Sequence, residues 1–209
     1  MVIYVPIGVD CGVAECLKKH NLRTIALPFD WIVTYQGITN IIKNDFLNFF
    51  PDLSKSVMVD DMPNVFNDNY GIKFIHDKFP NVDVYDKYIR RINRFKEILK
   101  TTDDTVIFIK KGHAYHNHKE YPLKDDIEDI NELDELLKTK YPNLKYKIVL
   151  TLLCYNCYKN KINHIISNHN VIVNSSLITN ISSKEIENKL ITGYVYNDIF
   201  KNLIYNKII

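Results

Sequence analysis

The chain has 209 residues, of which 46% are hydrophobic, and a formal net charge of +2 at neutral pH. This composition is sufficient for a folded core and excludes global disorder, and no apolar run approaches the length of a membrane span. The mild charge gives no argument for nucleic-acid binding. We therefore expect a soluble cytoplasmic protein, with residues 1–209 forming a single domain and with no membrane partner.

The N-terminal half opens with a predicted strand, Val2–Ile7, which leads through Gly8 into a predicted helix, Gly12–His20. Residues 51–70 mix proline, aspartate and asparagine with short apolar runs and are the least regular part. Four further elements are predicted in this half: an extended segment Leu22–Leu27, a helix Thr39–Phe50, a short strand Ile72–His76 and a long helix Asp83–Lys100.

The C-terminal half alternates apolar strands with amphipathic helices. Its predicted strands are Thr105–Ile109, Tyr146–Leu153 and Val171–Asn174, and its predicted helices are Asp126–Thr139, Lys159–Ser167 and Ser182–Leu190. Such alternation, with nearly continuous apolar strands, is typical of a parallel sheet covered on both faces. The sequence thus predicts an α/β fold with three layers, in which a mostly parallel central sheet is flanked by helices.

Cys11 lies where the first predicted strand passes into the first predicted helix. The unpaired backbone N–H groups and the positive dipole at a helix N-terminus both favour a thiolate, which is the nucleophilic form of cysteine. The alternative is a small buried residue that fills the corner between strand and helix. The chain has four cysteines, too few for a disulfide framework at this length, so reduced thiols are expected.

A cysteine nucleophile needs a base, and the base usually needs a group that orients it. His76 ends a predicted strand and is followed by Asp77, whereas Asp30 lies between aromatic residues in a loop stiffened by Pro28. Each of these residues also has an ordinary structural interpretation, as a core aromatic, a turn or helix-cap carboxylate, or an edge histidine.

The order of these motifs resembles a family of papain-like cysteine peptidases of unknown function, found in bacteria and large DNA viruses. The matching pieces are Gly8-Val9-Asp10-Cys11, Pro28-Phe29-Asp30-Trp31, His76-Asp77 and Arg90-Arg91-Ile92-Asn93-Arg94-Phe95. The resemblance implies a thiol hydrolase with Cys11 as nucleophile and His76 as base, and no cofactor. It also raises a papain-like α+β fold as the alternative architecture.

The chain contains only four arginines, and three of them, Arg90, Arg91 and Arg94, lie on the long predicted helix. Arg90 and Arg94 share a face because they are four residues apart. They could form a bidentate clamp for a substrate carboxylate or phosphate, or a buried ion pair with Asp30 or Asp77. We treat these arginines, together with Trp31, as candidate substrate-binding residues.

Two groups of potential metal ligands occur in the C-terminal half. The spacing Cys154-x2-Cys157-x6-His164-x4-His169 suggests zinc, but six residues are too few for a zinc finger of the usual kind. His113, His116 and His118 lie in a long polar loop, where His116 could contact substrate or, with His118, hold a metal. We expect buried cysteines and surface histidines, and therefore no metal.

The sequence favours a thiol-dependent hydrolase or acyl-transfer enzyme acting on a peptide, amide or ester. In this hypothesis Asp30 or Asp77 orients His76, and the backbone N–H groups of residues 11–13 form an oxyanion hole. A second hypothesis is a transferase that binds a glycan or nucleotide-sugar, with phosphate at the same strand–helix corner and arginines as counter-charges. A third is an interaction module without catalysis.

Overall fold

The computed structural model describes residues 1–8, 10–55, 57–59, 62–112, 125–151 and 170–174. No helix in this part of the chain combines the length and apolarity needed to cross a membrane. The elements, in chain order, are β1 (Val2–Pro6), α1 (Gly12–Lys19), β2 (Val33–Thr34), α2 (Thr39–Lys43), a short 3-10 turn (Leu53–Lys55), β3 (Val57–Val59), β4 (Met62–Asn67), β5 (Ile72–Phe74), α3 (Val82–Thr101), β6 (Thr105–Lys111), α4 (Asp126–Lys140), β7 (Tyr146–Thr151) and β8 (Val171–Asn174).

The centre of the protein is a parallel four-stranded sheet in the order β1-β6-β7-β8. In its register Val5 lies beside Phe108, and Phe108 lies beside Ile148. All three side chains are completely buried. These strands are rich in valine and isoleucine because both faces of a parallel sheet are covered. The predicted α/β class and the parallel sheet are confirmed.

Helices cover both faces of this sheet. Val5 and Phe108 belong to one large buried cluster that also contains Phe95 of α3 and Leu133 of α4. Ile109 points to the opposite face because side chains alternate along a strand, and it is also fully buried. The helix α1 packs against β1 and β6 with its own buried side chains, Val13, Ala14, Cys16 and Leu17, which lie outside the large cluster.

A second, antiparallel sheet has the strand order β2-β5-β4-β3 and was not predicted from the sequence. Within the described residues this sheet is open and does not close into a barrel. The hydroxyl of Thr34 in β2 donates a 3.0 Å hydrogen bond to the carbonyl of Gly8. This bond connects the antiparallel sheet to the end of β1, beside Cys11.

The predicted helix Thr39–Phe50 is wrong beyond its first half, because α2 ends at Lys43. Asp45, Phe46 and Asn48 adopt positive φ angles of 53°, 64° and 55°, which a right-handed helix does not allow. The apolar residues of this segment are still buried, with Phe46 and Phe49 in the core. The spacing of the apolar residues therefore predicts correctly which side chains are buried, but it does not predict the backbone conformation.

A buried ionic cluster joins β6 to the start of α4. The Nζ of Lys110 lies 2.6 Å from Oδ2 of Asp129 and 3.4 Å from Oδ1 of Asp126, and all three side chains are at most 1% exposed. Thr39 donates a 2.8 Å hydrogen bond to the other oxygen of Asp129. Burial alone would lower the pKa of Lys110, but Asp129 and Asp126 raise it overall, so the two carboxylates favour the ammonium form of Lys110.

Substitution of Gly37 tests how rigidly this cluster is held. Gly37 has a φ of +73°, and a Cβ there would lie 2.2 Å from Oδ2 of Asp129. We expect Gly37→Ala to lower the free energy of unfolding by about 3 kcal/mol, through left-handed strain plus displacement of a buried carboxylate. Gly71→Ala is the matched control, because its φ is also positive but its nearest neighbour is the flexible Gln36 side chain at 3.0 Å.

In the control we expect a loss of about 1 kcal/mol from backbone strain alone. Urea unfolding of both variants measures the difference directly. Equal losses in the two variants would show that Asp129 moves aside without cost.

Candidate active site

Asp10, not Cys11, caps the first turn of α1. Its Oδ1 accepts a 2.8 Å hydrogen bond from the backbone N–H of Gly12. Its Oδ2 lies 2.5 Å from Nζ of Lys111 at the end of β6, and the Lys111 side chain is only 7% exposed. The corner between β1 and α1 is therefore held to the neighbouring parallel strand by one carboxylate and one ammonium group.

Gly12 is required by this arrangement. A Cβ at residue 12 would lie 2.9 Å from Oδ1 of Asp10 and 3.4 Å from Nζ of Lys111. The Gly12 N–H also belongs to the predicted oxyanion hole, and here it already donates to Asp10. That N–H becomes available to a substrate oxygen only if the Asp10 carboxylate moves.

The Cys11 thiol is half-buried at the N-cap position of α1 and makes no capping hydrogen bond. Its Sγ donates to Oε1 of Glu15 at 3.9 Å, one helical turn away. Burial raises the pKa of the Cys11 thiol to about 11, with Glu15 and Asp10 adding to the rise, while a backbone hydrogen bond and Lys111 oppose it. The expected stabilisation of a thiolate by the helix N-terminus is thus outweighed by burial and two nearby carboxylates.

Cys16 has the structural role that was the alternative for Cys11. It is 5% exposed on the buried face of α1, and burial raises its pKa to about 11 as well. Cys11, in contrast, is only half-buried. The two differ in access to solvent, which makes Cys16 a natural internal control for Cys11.

Trp31 and His76 are brought together by the antiparallel sheet. Val33 of β2 pairs with Lys73 of β5, so residues just before β2 and just after β5 emerge at the same end of the sheet. The ring centroids of Trp31 and His76 are 5.6 Å apart in an edge-to-face contact. His76 is exposed to solvent, as its predicted position at a strand end suggested.

Asp30 binds Arg23 instead of contacting His76. The Nε of Arg23 lies 2.8 Å from Oδ2 of Asp30, a second guanidinium nitrogen binds the same oxygen, and the Leu27 N–H donates to it at 3.1 Å. The Arg23 guanidinium also lies over the Trp31 ring, 5.7 Å from its centroid. Asp30 therefore reaches His76 only indirectly, through Arg23 and then Trp31.

Asp77 turns away from His76 and towards α3. It forms an ion pair with Lys87 and accepts a 2.7 Å hydrogen bond from the hydroxyl of Tyr88. Burial raises the pKa of Tyr88, and the charge of Asp77 raises it further. Both oxygens of Asp77 are engaged in holding α3 next to β5.

The three arginines of α3 have three different environments. Arg91 lies near Asp30, whose pKa is raised mainly by burial and is lowered by Arg23 and, more weakly, by Arg91. Arg94 donates a 2.9 Å hydrogen bond to the carbonyl of Ala26, and Arg90 is exposed. For Arg91 and Arg94 the structure favours contacts within the protein over a clamp that is open to substrate.

Some predicted residues lie outside the described part of the chain. These are the histidines His113, His116 and His118 and the possible metal ligands Cys154, Cys157, His164 and His169. Among the residues that the structure does describe, no group of three or more histidine, cysteine, aspartate or glutamate side chains could hold a metal ion.

Two groups that act on the Cys11 thiol together with Asp10 were not predicted from the sequence, Glu15 and Lys111. One signal could have revealed Lys111: it comes two residues after the predicted apolar strand Thr105–Ile109, so it lies at the carboxyl edge of the parallel sheet, where β1 also ends. Glu15 could have been found from the i, i+4 spacing to Cys11 on a helix.

The fold and this corner define an α/β protein with a solvent-accessible cysteine at the first strand–helix junction of a parallel sheet. Residues 2–156 match the family described as "Putative papain-like cysteine peptidase (DUF1796)", and the chain belongs to that family. It is also 28% identical over 170 residues to an uncharacterized protein of Acanthamoeba polyphaga mimivirus, a match covering 68% of this chain and 72% of the viral protein. No solved structure matches the chain.

Proposed function

We propose that the protein is a thiol-dependent hydrolase or acyl-transfer enzyme that acts on amide or ester bonds, with Cys11 as its nucleophile. The main support is the position of Cys11: a partly accessible thiol at the carboxyl edge of a parallel sheet, in a member of a cysteine-peptidase family. Strand–helix corners of this kind present nucleophiles in other α/β hydrolytic folds.

His76 is the proposed base. For this role the segment after β5, which carries His76, must approach the junction between β1 and α1, which carries Cys11. The hydrogen bond between Thr34 and Gly8 connects β2, which pairs with β5, to the end of β1. Cys11 follows Gly8 by three residues and Trp31 precedes Thr34 by three, and three residues span at most about 11 Å. Short chain segments thus link Trp31, the neighbour of His76, to Cys11 through this hydrogen bond, whereas the thiol hydrogen bond in this structure goes to Glu15.

In the proposed reaction, the Cys11 thiol proton passes to the His76 imidazole as the sulfur attacks the carbonyl carbon. The C–N or C–O bond then breaks, and the leaving amine or alcohol takes the proton from the imidazolium. The resulting thioester at Cys11 is cleaved by water, or by another nucleophile in acyl transfer, and the thiol is restored.

The transferase hypothesis receives less support from this site. A phosphate at the N-terminus of α1 would have to displace the Asp10 carboxylate from the Gly12 N–H. It would then meet the negative charge of Glu15 in the first turn. Phosphate sites at helix N-termini depend on free N–H groups and a positive field, and this corner already holds two carboxylates.

We further propose that the protein works in the cytoplasm, or in the host cytoplasm if its source is viral like its mimivirus relative. The proposed role of Cys11 supports this proposal, because a reducing compartment keeps a nucleophilic cysteine active.

Hydrolysis of p-nitrophenyl esters and of peptide aminomethylcoumarin amides tests the proposed function. We expect Cys11→Ser to abolish turnover and His76→Ala to reduce kcat by about 10²–10⁴, the usual contribution of a general base. Cys16→Ser should leave turnover unchanged, because that thiol is buried on the inner face of α1.

A His116→Ala variant completes this experiment. If it loses turnover while His76→Ala does not, the base has been assigned to the wrong histidine. If Cys11→Ser retains full turnover, Cys11 is not the nucleophile. If no substrate of either type is cleaved, the protein is better described as an interaction module.

A further inference from the structure

We propose that Glu15 and Lys111 are opposing positioning residues of Cys11: Glu15 holds the sulfur in its resting thiol form, and Lys111 supports the attacking form. This inference rests on the proposed thiol chemistry. It adds a means of regulation to the site, because displacement of Glu15 would release the nucleophile.

Glu15 is placed to keep the Cys11 sulfur protonated. It is exposed on the first turn of α1 and its carboxylate accepts the Cys11 S–H hydrogen bond. A carboxylate that accepts from a thiol stabilises the protonated sulfur and repels the thiolate. Because Glu15 is exposed, a rotation of its side chain is enough to remove this contact, with no change in the buried core.

Lys111 has the opposite effect and a fixed position. Its side chain is 7% exposed and its ammonium group binds Asp10 at 2.5 Å. The same ammonium lies 3.4 Å from the place where a Cβ of Gly12 would be, so it is next to the residue that follows Cys11. Lys111 thereby partly neutralises the Asp10 carboxylate and adds positive charge beside the sulfur.

The described charged groups that face Cys11 are thus Asp10 from the junction, Glu15 from α1 and Lys111 from β6. Two of them disfavour the thiolate and one favours it. Removal of Glu15 and removal of Lys111 should therefore change the reactivity of Cys11 in opposite directions, a result that general loosening of the corner would not produce.

The experiment measures alkylation of each cysteine by iodoacetamide in the full chain, at several pH values, with mass spectrometry of the cysteine peptides. We expect Glu15→Gln to speed Cys11 alkylation at pH 8 by about three- to tenfold, and Lys111→Gln to slow it by a similar factor. The pKa of the Cys11 thiol, raised to about 11 by burial and the nearby carboxylates, should fall in the first variant and rise in the second.

Three controls separate charge from structure. Glu128→Gln and Lys147→Gln remove exposed charges on α4 and β7 that are not among the groups acting on the Cys11 pKa, and they should have no effect. Lys111→Arg keeps the charge and should restore the rate. Cys16 is buried on α1, so it should remain slow to react in every variant that stays folded.

Equal rates in all variants, or a change in the same direction for Glu15→Gln and Lys111→Gln, would overturn the inference. Rapid labelling of Cys16 in Lys111→Gln without rescue by Lys111→Arg would also overturn it for Lys111, because α1 would then have opened. Alkylation needs no substrate, so opposite shifts without any hydrolysis would refute the proposed function and leave the charge assignment intact.

Discussion

Replacement of Lys110 by methionine is expected to lower the free energy of unfolding by about 3–5 kcal/mol. Lys110 is completely buried between Asp126 and Asp129, and methionine fills a similar volume without the charge. The variant leaves two buried carboxylates without their shared cation. One of them must then bind a proton or expose itself to water, and either change costs stability.

Lys147→Met is the matched control for this prediction. Lys147 lies on β7 of the same parallel sheet but is exposed, so its replacement should change stability by no more than about 0.5 kcal/mol. Chemical denaturation of both variants gives the comparison. A Lys110→Met protein as stable as the unaltered chain would mean that the cluster is hydrated or already protonated.

Much of the parallel sheet could be predicted because its evidence is local. Apolar runs that stand out between polar segments form β1, β6 and β7. The observed bounds of β8 are the same as the predicted ones. The long helix α3 has a regular apolar stripe, and it differs from its predicted limits by one residue at each end. Strong periodicity over many residues identifies such elements without knowledge of the tertiary fold.

The antiparallel sheet could not be predicted in this way. Of its strands, β5 was predicted, as Ile72–His76, and is present at Ile72–Phe74. The strands β2 and β3 have two or three residues each, too short to show a period, and β4 contains a proline, Pro63. Such strands are defined by their pairing partners, which a local pattern does not reveal. The helix predicted at Thr39–Phe50 failed for the same reason, because backbone turns at Asp45 and Phe46 are set by distant contacts.

The candidate site was predictable in position but not in chemistry. The sequence placed Cys11 at the strand–helix corner and His76 at a strand end, and the Trp31–His76 contact follows from strand pairing. The partners of Asp30, Asp77 and Cys11 depend on which segments meet in space. Arg23, Lys87 and Lys111 were each one lysine or arginine among 27 until the fold brought it to a carboxylate.

Replacement of Asp30 by alanine should also cost about 3 kcal/mol of unfolding free energy. Asp30 accepts hydrogen bonds from Arg23 and from the Leu27 N–H while itself 1% exposed. Removal of the carboxylate leaves these donors without an acceptor and opens a cavity beside Phe29. The exposed Asp86 on α3 offers a control, since Asp86→Ala should change stability by no more than about 0.5 kcal/mol.

The double variant Asp30→Leu with Arg23→Met separates the ion pair from its surroundings. Burial raises the pKa of Asp30, because removal from water destabilises the charged carboxylate. Replacement of both partners by apolar side chains removes that destabilisation together with the unpaired charge. We therefore expect the double variant to regain at least half of the stability that Asp30→Ala loses.

The same pair of variants decides how Asp30 affects the proposed base. If Asp30 acts on His76 only through Arg23 and Trp31, the double variant should recover stability but not turnover, because the Arg23 contact with the Trp31 ring is lost. Thermal unfolding and ester hydrolysis measured on one preparation give both quantities. Full turnover in the stable double variant would show that Asp30 does not act on His76 through Arg23 and Trp31. Asp30 would then contribute only to stability.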